Sequence, residues 1–389
     1  MVVGIVAEYN PFHNGHKLQI DYAKNELGAT QVVVAMSGSF TQRGEIACFD
    51  KYTRAHAALI CGADIVFEMP TIFATASARE FAAAGVQLLA STGVVDTILF
   101  GAENDDVDLF KSSAKRLVEL EKSGVLDSKI KEIVATGETY AYAHAHALAD
   151  YIPIEIKCSP NNLLGLEYCR YIYEHDLNMD IAILKRQGND YNDVHLTGEI
   201  CSATAVRAQL SLGKEITAVP EVTIPIYKGS VFVSPDDIAQ MLHYKLLSEN
   251  DFEKYLDCTS DLADRIKNLK KDYINFTSFS FDVKTKNITF SRASRVLCHI
   301  LLDITQEAFE AEKAADYIRY LRMLGFSKNG AKLLAAIKER GCVPLITSPT
   351  DIIDKHDIYA ADIHRAIVTA KTSTVYPNEF TRKFDLANI

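Results

Sequence analysis

The sequence predicts an α/β fold, with a mainly parallel sheet in residues 1–215 and a mainly helical part in residues 216–389. Three observations predict it. Short runs rich in valine and isoleucine alternate with helix-length amphipathic segments from the N-terminus onward. Polar, glycine-bearing loops follow those runs: "NPFHNGH", "SGSFTQRGE" and "GAENDD" stand at the strand ends where such sheets take their ligands. Beyond "VPEVTIPIY" the apolar positions keep mostly helical spacing.

In order, "VVGIVAEY" reads as a buried strand and "HKLQIDYAKNEL" as a helix. "QVVVAMSG" is a second strand, and "KYTRAHAALICGA" the helix after its loop. "DIVFEMP" is a third strand stopped by Pro70, "SAREFAAAGVQLLAST" a helix, and "VDTILFG" a fourth strand. Residues from Asp105 to Tyr151 read as helical, "IPIEIKCSPNNLLGLEYCRYI" as strand, loop and helix, and "MDIAILKRQG" as a further strand. "ICSATAVRAQLSLG" opens like a capped helix, with Ser202 or Thr204 as the cap. "VPEVTIPIY" reads as a linker, and "FTSFSFDVKTKNITF" as a hairpin inside the helical part.

Composition narrows the function classes. With 48% hydrophobic and 24% charged residues, the chain has the balance of a soluble globular protein long enough for two cores. No apolar run approaches the ~18 residues of a membrane span, and "MVVGIVAEYN" lacks the basic start of a signal peptide, so a cytoplasmic protein is expected. The eight cysteines are scattered without a C-x-x-C pair, which fits reduced thiols. Net charge is −10, yet residues 211–389 are neutral, with 24 bases and 24 acids. Five bases and no acid lie between Arg319 and Lys338, so an RNA-binding stripe is compatible with the overall sign.

Two short motifs carry chemistry. A helix starting right after "HNGH" offers backbone N–H groups and a positive dipole end to a phosphate. Gly15 lets a ligand approach the backbone, and His13 and His16 donate to phosphate oxygens. Elsewhere two histidines at a helix start serve as surface or capping residues; their position after the first strand favours function. The second motif is "CSATAVR". Hydroxyls at Ser202 and Thr204 in a helix's first turn, with Arg207 a turn later, suit a triphosphate. An ordinary N-cap is the plainer reading of that motif taken alone.

Together these motifs resemble the signatures of the H-x-G-H nucleotidyltransferase superfamily, with Ala203 where a second serine often occurs. The ordered series "GIVAEYNPFHNGH", "MSGSFTQRGE", "KYTRAHAALICGADIVFEMP", "ILFGAEN", "SPNNLLGLEY", "ICSATAVR" and "YLRMLGFSKNGAKLL" covers most of the chain. It resembles the bacterial tRNA(Met) cytidine acetate ligase family. The resemblance implies a Rossmann-like domain that activates acetate with ATP as acetyl-adenylate. It implies that the acetyl group then passes to N4 of the wobble cytidine, C34, of elongator tRNA(Met). ATP is then a co-substrate, with Mg2+ expected alongside it and no metal bound by the protein itself. His13, His16, Ser202, Thr204 and Arg207 are the implied catalytic groups.

The resemblance further implies that the nucleotide is surrounded by Ala7, Glu8, Tyr9, Asn10, Pro11, Phe12, His13, Asn14, Gly15, His16, Lys17, Leu18, Gln19 and Ile20. Gly101 lies under the adenosine, and Asn161 or Asn162 and Arg186 or Gln187 add contacts. "KRQGNDYND" departs from the glycine- and histidine-bearing form expected there. Expected RNA contacts are Lys284, Lys286, Arg292 and Arg295, then Arg319 and Arg322 on a shared helix face, then Lys328 and Lys332. Two rival readings keep the same fold: adenylylation of a small phosphorylated cofactor precursor, and a non-catalytic ATP- and RNA-binding protein. The closely spaced aspartates Asp105, Asp106 and Asp108 read as a solvated loop, and His144 and His146 as facing apart on a helix.

Overall fold

Seven strands form one sheet in the order β5-β4-β1-β2-β3-β6-β7. They are β1 (Val2–Ala7), β2 (Gln31–Ser37), β3 (Ile65–Met69), β4 (Thr97–Ala102), β5 (Asp180–Lys185), β6 (Leu321–Phe326) and β7 (Leu345–Ile346). The computed structural model describes residues 1–137, 143, 146–148, 151–157, 159–186, 202–214, 216–349 and 352–382. The first five strands are parallel, in the register Val3 to Val32 and Val3 to Thr97, so the strand order reverses on either side of β1. That reversal opens a crevice at the carboxyl ends of β1 and β4.

Alternation along each strand feeds two cores. Val33, Ala35, Ile65, Phe67, Ile98 and Phe100 point to one face, where helices Ala78–Ser91, Val107–Lys122 and Pro160–Glu174 cover them. Val3, Ile5, Val32, Val34 and Leu99 point to the other, under helices Asn14–Asn25, Lys51–Ile60 and Ala203–Ser211.

The second part of the chain contributes to this sheet. β6 runs antiparallel against β3, with Glu68 opposite Arg322, and β7 pairs parallel with β6. Its helices share the first core, for instance where Phe73 meets Phe309 at 5.5 Å between ring centroids. Three local expectations are overturned. "FTSFSFDVKTKNITF" is no hairpin: Phe276–Val283 is a helix capped by Asn275, because its apolar residues Phe276, Phe279 and Val283 also fit the helical period. "IPIEIK" is a helical turn, Ile154–Lys157, rather than a strand. The expected linker is a short helix, Ile224–Lys228, with Pro225 in its first turn. Its Tyr227 hydroxyl donates to the Phe12 carbonyl at 2.9 Å, so this segment straps the first motif from outside.

A buried ionic cluster joins the two parts. Lys51 Nζ meets both Glu68 oxygens at 2.7 Å and Glu379 at 2.8 Å. Arg322 reaches Glu379 at 3.3 Å and the Tyr52 hydroxyl at 3.1 Å. Two cations face two carboxylates, all but excluded from water.

Candidate active site

The "HNGH" turn is a capping box made of histidines. His13 is the N-cap of helix Asn14–Asn25, and its Nδ1 accepts the Gly15 N–H at 3.0 Å. His16 Nδ1 reaches back to accept the His13 N–H at 3.2 Å. In other proteins a serine or threonine and a glutamate fill these two roles. A ring whose Nδ1 accepts a backbone N–H carries its proton on Nε2. The two imidazoles, stacked at 3.8 Å, therefore each retain an Nε2–H as donor.

One expectation is corrected here. The first-turn backbone donors are already used: Asn14 N–H goes to the Ala218 carbonyl at 3.1 Å, and those of His16 and Lys17 go to the His13 carbonyl. The motif offers imidazole N–H groups in place of free backbone amides.

Burial pushes His13 down to about 3, with Arg186 and Arg207 adding to the effect, and burial likewise holds His16 well below 6.5. Both rings are neutral at physiological pH. His364, whose Nε2 lies 3.1 Å from the Ala47 carbonyl, is lowered by burial to about 4. For His13 and His364 the unfolded chain takes up a proton near 6.5 and the native state does not until the lower value. Stability therefore falls as pH drops below about 6.5, by up to ~1.4 kcal/mol per pH unit for each ring. Denaturant titrations between pH 7 and 5 (about two units) should show this loss, and His364→Gln, which keeps an N–H for Ala47, should remove one proton's share. An unchanged slope in His364→Gln would refute its neutral burial.

The second motif closes on the first. Ser202, not Thr204, is the cap of helix Ala203–Ser211, its Oγ accepting the Ala205 N–H at 3.2 Å. Arg207 Nη1 donates to the Asn10 carbonyl at 2.7 Å, and the Thr204 hydroxyl lies 3.4 Å from both Arg207 and Arg43. Tyr9 has a left-handed φ of 47°, which turns the chain so that the Asn10 carbonyl faces Arg207. Such a conformation costs about 1–3 kcal/mol in a residue with a side chain, and here it accompanies the site.

Sequence reasoning missed the group that gathers these loops. Arg54 is fully buried and, among the described residues, forms no ion pair with a carboxylate. Its guanidinium donates to the carbonyls of Phe49 at 3.0 Å, Glu8 at 2.6 Å and Ser37 at 3.1 Å, and also to that of Gly38. The loop after β2 is held from the other side by the second part of the chain. Gly44 has φ 74°, and a Cβ there would stand 2.3 Å from the Arg295 backbone nitrogen. Only glycine lets helix Phe290–Leu302 approach so closely.

These elements enclose a cleft of about 240 Å³ at the carboxyl ends of β1, β2, β4 and β5. Its lining includes the donors His13, His16, Ser202, Thr204, Arg43 and Arg207. Its apolar end is formed by Phe100, Leu164, Tyr168 and Leu184, beside Gly101. Among the described residues no group of three or more His, Cys, Asp or Glu could hold a metal ion.

The family model for HIGH nucleotidyl transferases matches residues 1–382. A curated tRNA(Met) cytidine acetate ligase of Fervidobacterium nodosum is 33% identical, covering 98% of this chain and 96% of that protein. The chain belongs to this ligase family. The Clostridium perfringens ligase is 32% identical, covering 93% of this chain and 94% of the relative. Among solved structures, Thermotoga maritima TmcAL in its apo form aligns at TM-score 0.91 with 27% identity over 100% of both chains. The same protein bound with alpha-thio ATP aligns at 0.84, covering 94% of each.

Within this ligase fold the sequence-predicted residues divide. Ala7, Glu8, Tyr9, Asn10, His13, Gly15, His16, Leu18, Gln19, Gly101, Asn161, Arg186, Ser202, Thr204 and Arg207 line the cleft. Pro11, Phe12, Asn14, Lys17 and Ile20 do not: Phe12 and Ile20 are core residues, and Lys17 pairs with Asp21. Asn162 does not line it either; it is buried and caps the chain after β4, its Oδ1 accepting the Glu103 N–H at 2.8 Å. Gln187, His144, His195 and Cys201 lie outside the described residues. Gln42 and Arg43, missed before, line the cleft; their signal was the polar loop "SGSFTQRGE" at a strand end.

The expected basic stripe is broken up. Arg322 is buried in strand β6, so it shares no helix face with Arg319, which pairs with Glu312 on the surface. Arg295 turns to the Asp257 carboxylate at 3.6 Å and Arg292 to the Asp257 carbonyl at 3.2 Å. Lys284, Lys286, Lys328 and Lys332 are exposed. Lys328 and Lys332 stand with Lys24 and Asp64 at the amino end of β3, across the sheet from the cleft. Lys284 and Lys286 precede helix Phe290–Leu302, which abuts the Arg43 loop at Gly44.

Proposed function

We propose that this chain is a cytoplasmic, ATP-dependent tRNA(Met) cytidine acetate ligase. The cleft takes ATP with the adenosine along Gly101 and the apolar end, and the phosphates toward His13, His16, Ser202, Thr204 and Arg207. An oxygen of acetate attacks the α-phosphorus, pyrophosphate leaves, and acetyl-adenylate remains. N4 of the wobble cytidine C34 of elongator tRNA(Met) then attacks the acetyl carbonyl and AMP departs. No protein nucleophile is needed, because the fixed donors stabilise the charge that develops on the phosphoryl oxygens. The observation that carries the reading is the histidine capping box: two neutral rings whose Nε2–H groups stay free to donate, facing Arg207 across the cleft.

With Glu8 as the one carboxylate among the described lining residues, the lining supplies mainly N–H and O–H donors, a set suited to phosphate rather than to holding a divalent cation, so Mg2+ enters on the ATP phosphates. The wobble base is already single-stranded, and presenting it breaks no base pair. Exposed Lys284 and Lys286, one helical turn and a short loop from the cleft's rim, meet phosphates of the anticodon arm, while residues 216–389 supply the tRNA surface. Replacing both lysines by alanine should flatten the salt dependence of tRNA binding by about one to two units of slope. An unchanged slope would remove them from the interface.

The deciding assay combines protein, ATP, Mg2+ and labelled acetate, without and then with tRNA. Acetate-dependent pyrophosphate release, with label entering tRNA only in the second case, is expected. Pyrophosphate release that ignores acetate would overturn the acceptor and favour adenylylation of a cofactor precursor.

A further inference from the structure

Activating acetate and transferring it make different demands. In the second step N4 becomes positively charged as it attacks, and the product forms only once that nitrogen loses a proton. A base must therefore face the acetyl group. The histidines cannot serve: the Nδ1 lone pairs of His13 and His16 are engaged by backbone N–H groups, and Nε2 already carries hydrogen. Arg43, Lys185, Arg186 and Arg207 are cations, and the amides and hydroxyls of the lining are too weakly basic. Among the described residues that line the cleft, one carboxylate remains.

We propose that Glu8, at the carboxyl end of β1, is the general base of the acetyl-transfer step. The proposal rests on the ligase reading above and deepens it. Glu8 is fixed at two points. Its Oε1 accepts the Gln42 N–H at 2.6 Å, and its backbone carbonyl receives Arg54 Nη1 at 2.6 Å. Its Oε2 makes no hydrogen bond among the described residues. In the step itself the N4 lone pair forms a bond to the acetyl carbon, whose carbonyl electrons move to oxygen. Collapse breaks the carbon–oxygen bond to phosphate, and AMP leaves with the electron pair. The N4 proton goes to Glu8 Oε2 and later to solvent.

The surroundings suit this role. The charges facing Glu8 are Arg43 and Glu45 from the loop after β2, Arg54 from helix Lys51–Ile60 and Arg207 from the second motif's helix, while the two histidines beside it are neutral. Burial raises the carboxyl above its usual 4.5, outweighing the Gln42 bond, Arg43 and Arg207, and a carboxylate shifted toward neutrality is the stronger base. It must still be ionised to work, so transfer slows as pH falls.

The test is single-turnover transfer from preformed acetyl-adenylate to tRNA(Met), which bypasses ATP binding, followed from about pH 5 to 8. Wild type should rise with pH and level off. Glu8→Gln keeps an oxygen for the Gln42 N–H, and should lose about 10²–10⁴-fold together with the pH-dependent limb, while Glu8→Asp regains the limb in part. Transfer by Glu8→Gln within about threefold of wild type, or with the same limb, would overturn the assignment. Should wild type itself transfer nothing, the ligase reading falls and the assignment with it; acetate-dependent pyrophosphate release by the same preparation separates the two failures.

Discussion

His16→Glu should leave the first helix as stable as before and reduce acetate-dependent pyrophosphate release by at least ~10²–10³-fold. The two effects separate because His16 does two jobs with two nitrogens. Its Nδ1 caps the helix by accepting the His13 N–H, which is what a glutamate does at this position of a capping box. In the proposed reaction its Nε2–H donates to the ATP phosphates, to which a carboxylate would present a like charge. Thermal melting should move by no more than ~1 kcal/mol in free energy. His13→Ala, by contrast, should lose both activity and a cap. Pyrophosphate release near the wild-type rate in His16→Glu would end the role assigned to the ring.

The largest stability effect is expected at the far end of the chain. Glu379→Gln removes one of the two carboxylates that touch Lys51 and Arg322, and leaves those contacts one positive charge in excess. Removing one partner of a buried ion pair typically costs ~3–5 kcal/mol. Arg322 is poorly placed to adapt, since among the described residues its Nε and Nη1 are already buried without a hydrogen-bond partner, and only neutral acceptors, the Tyr52 hydroxyl and the new amide oxygen, would remain to it. Burial lifts Glu68 to about 7 even with Lys51 beside it, so this carboxylate alone is a weak counterion for two cations. Adding Arg322→Met to Glu379→Gln restores the balance and should recover most of the loss. Denaturant midpoints of the two singles and the double decide it; a double as unstable as the sum of the singles would show that charge balance is not what matters.

Local patterns made much of the fold legible. The valine-rich runs of β1 to β4 are long enough, and bounded sharply enough by glycine and proline, to be read directly. "HNGH" and "CSATAVR" could be paired because together they resemble the two signatures of the H-x-G-H nucleotidyltransferases; each alone reads as a helix start. What escaped depended on distant chain. "YLRMLGF" is a short apolar run that periodicity cannot divide between helix and strand, and only the open edge of β3 makes it β6. Arg54 looks like one charge on an amphipathic helix until the loops after β1 and β2 converge on it. The saturation of the first-turn amides followed from which way two imidazoles turn, and spacing does not encode that.

The position of Glu379 in the chain has a consequence for how the molecule is made. Lys51 and Glu68 leave the ribosome early, and β3 is then an edge strand with no neighbour on one side. β6 can cover that edge only by bringing the Arg322 guanidinium into the interior, and its counterion, Glu379, is encoded further along still. Stable closure of the sheet therefore waits until the segment around Glu379 has been made. A chain cut short before residue 379 keeps an unmatched cation against an exposed β-edge, the feature that invites association and proteolysis. The buried carboxylate thus ties the covering of the β3 edge to a segment made long after β3 itself.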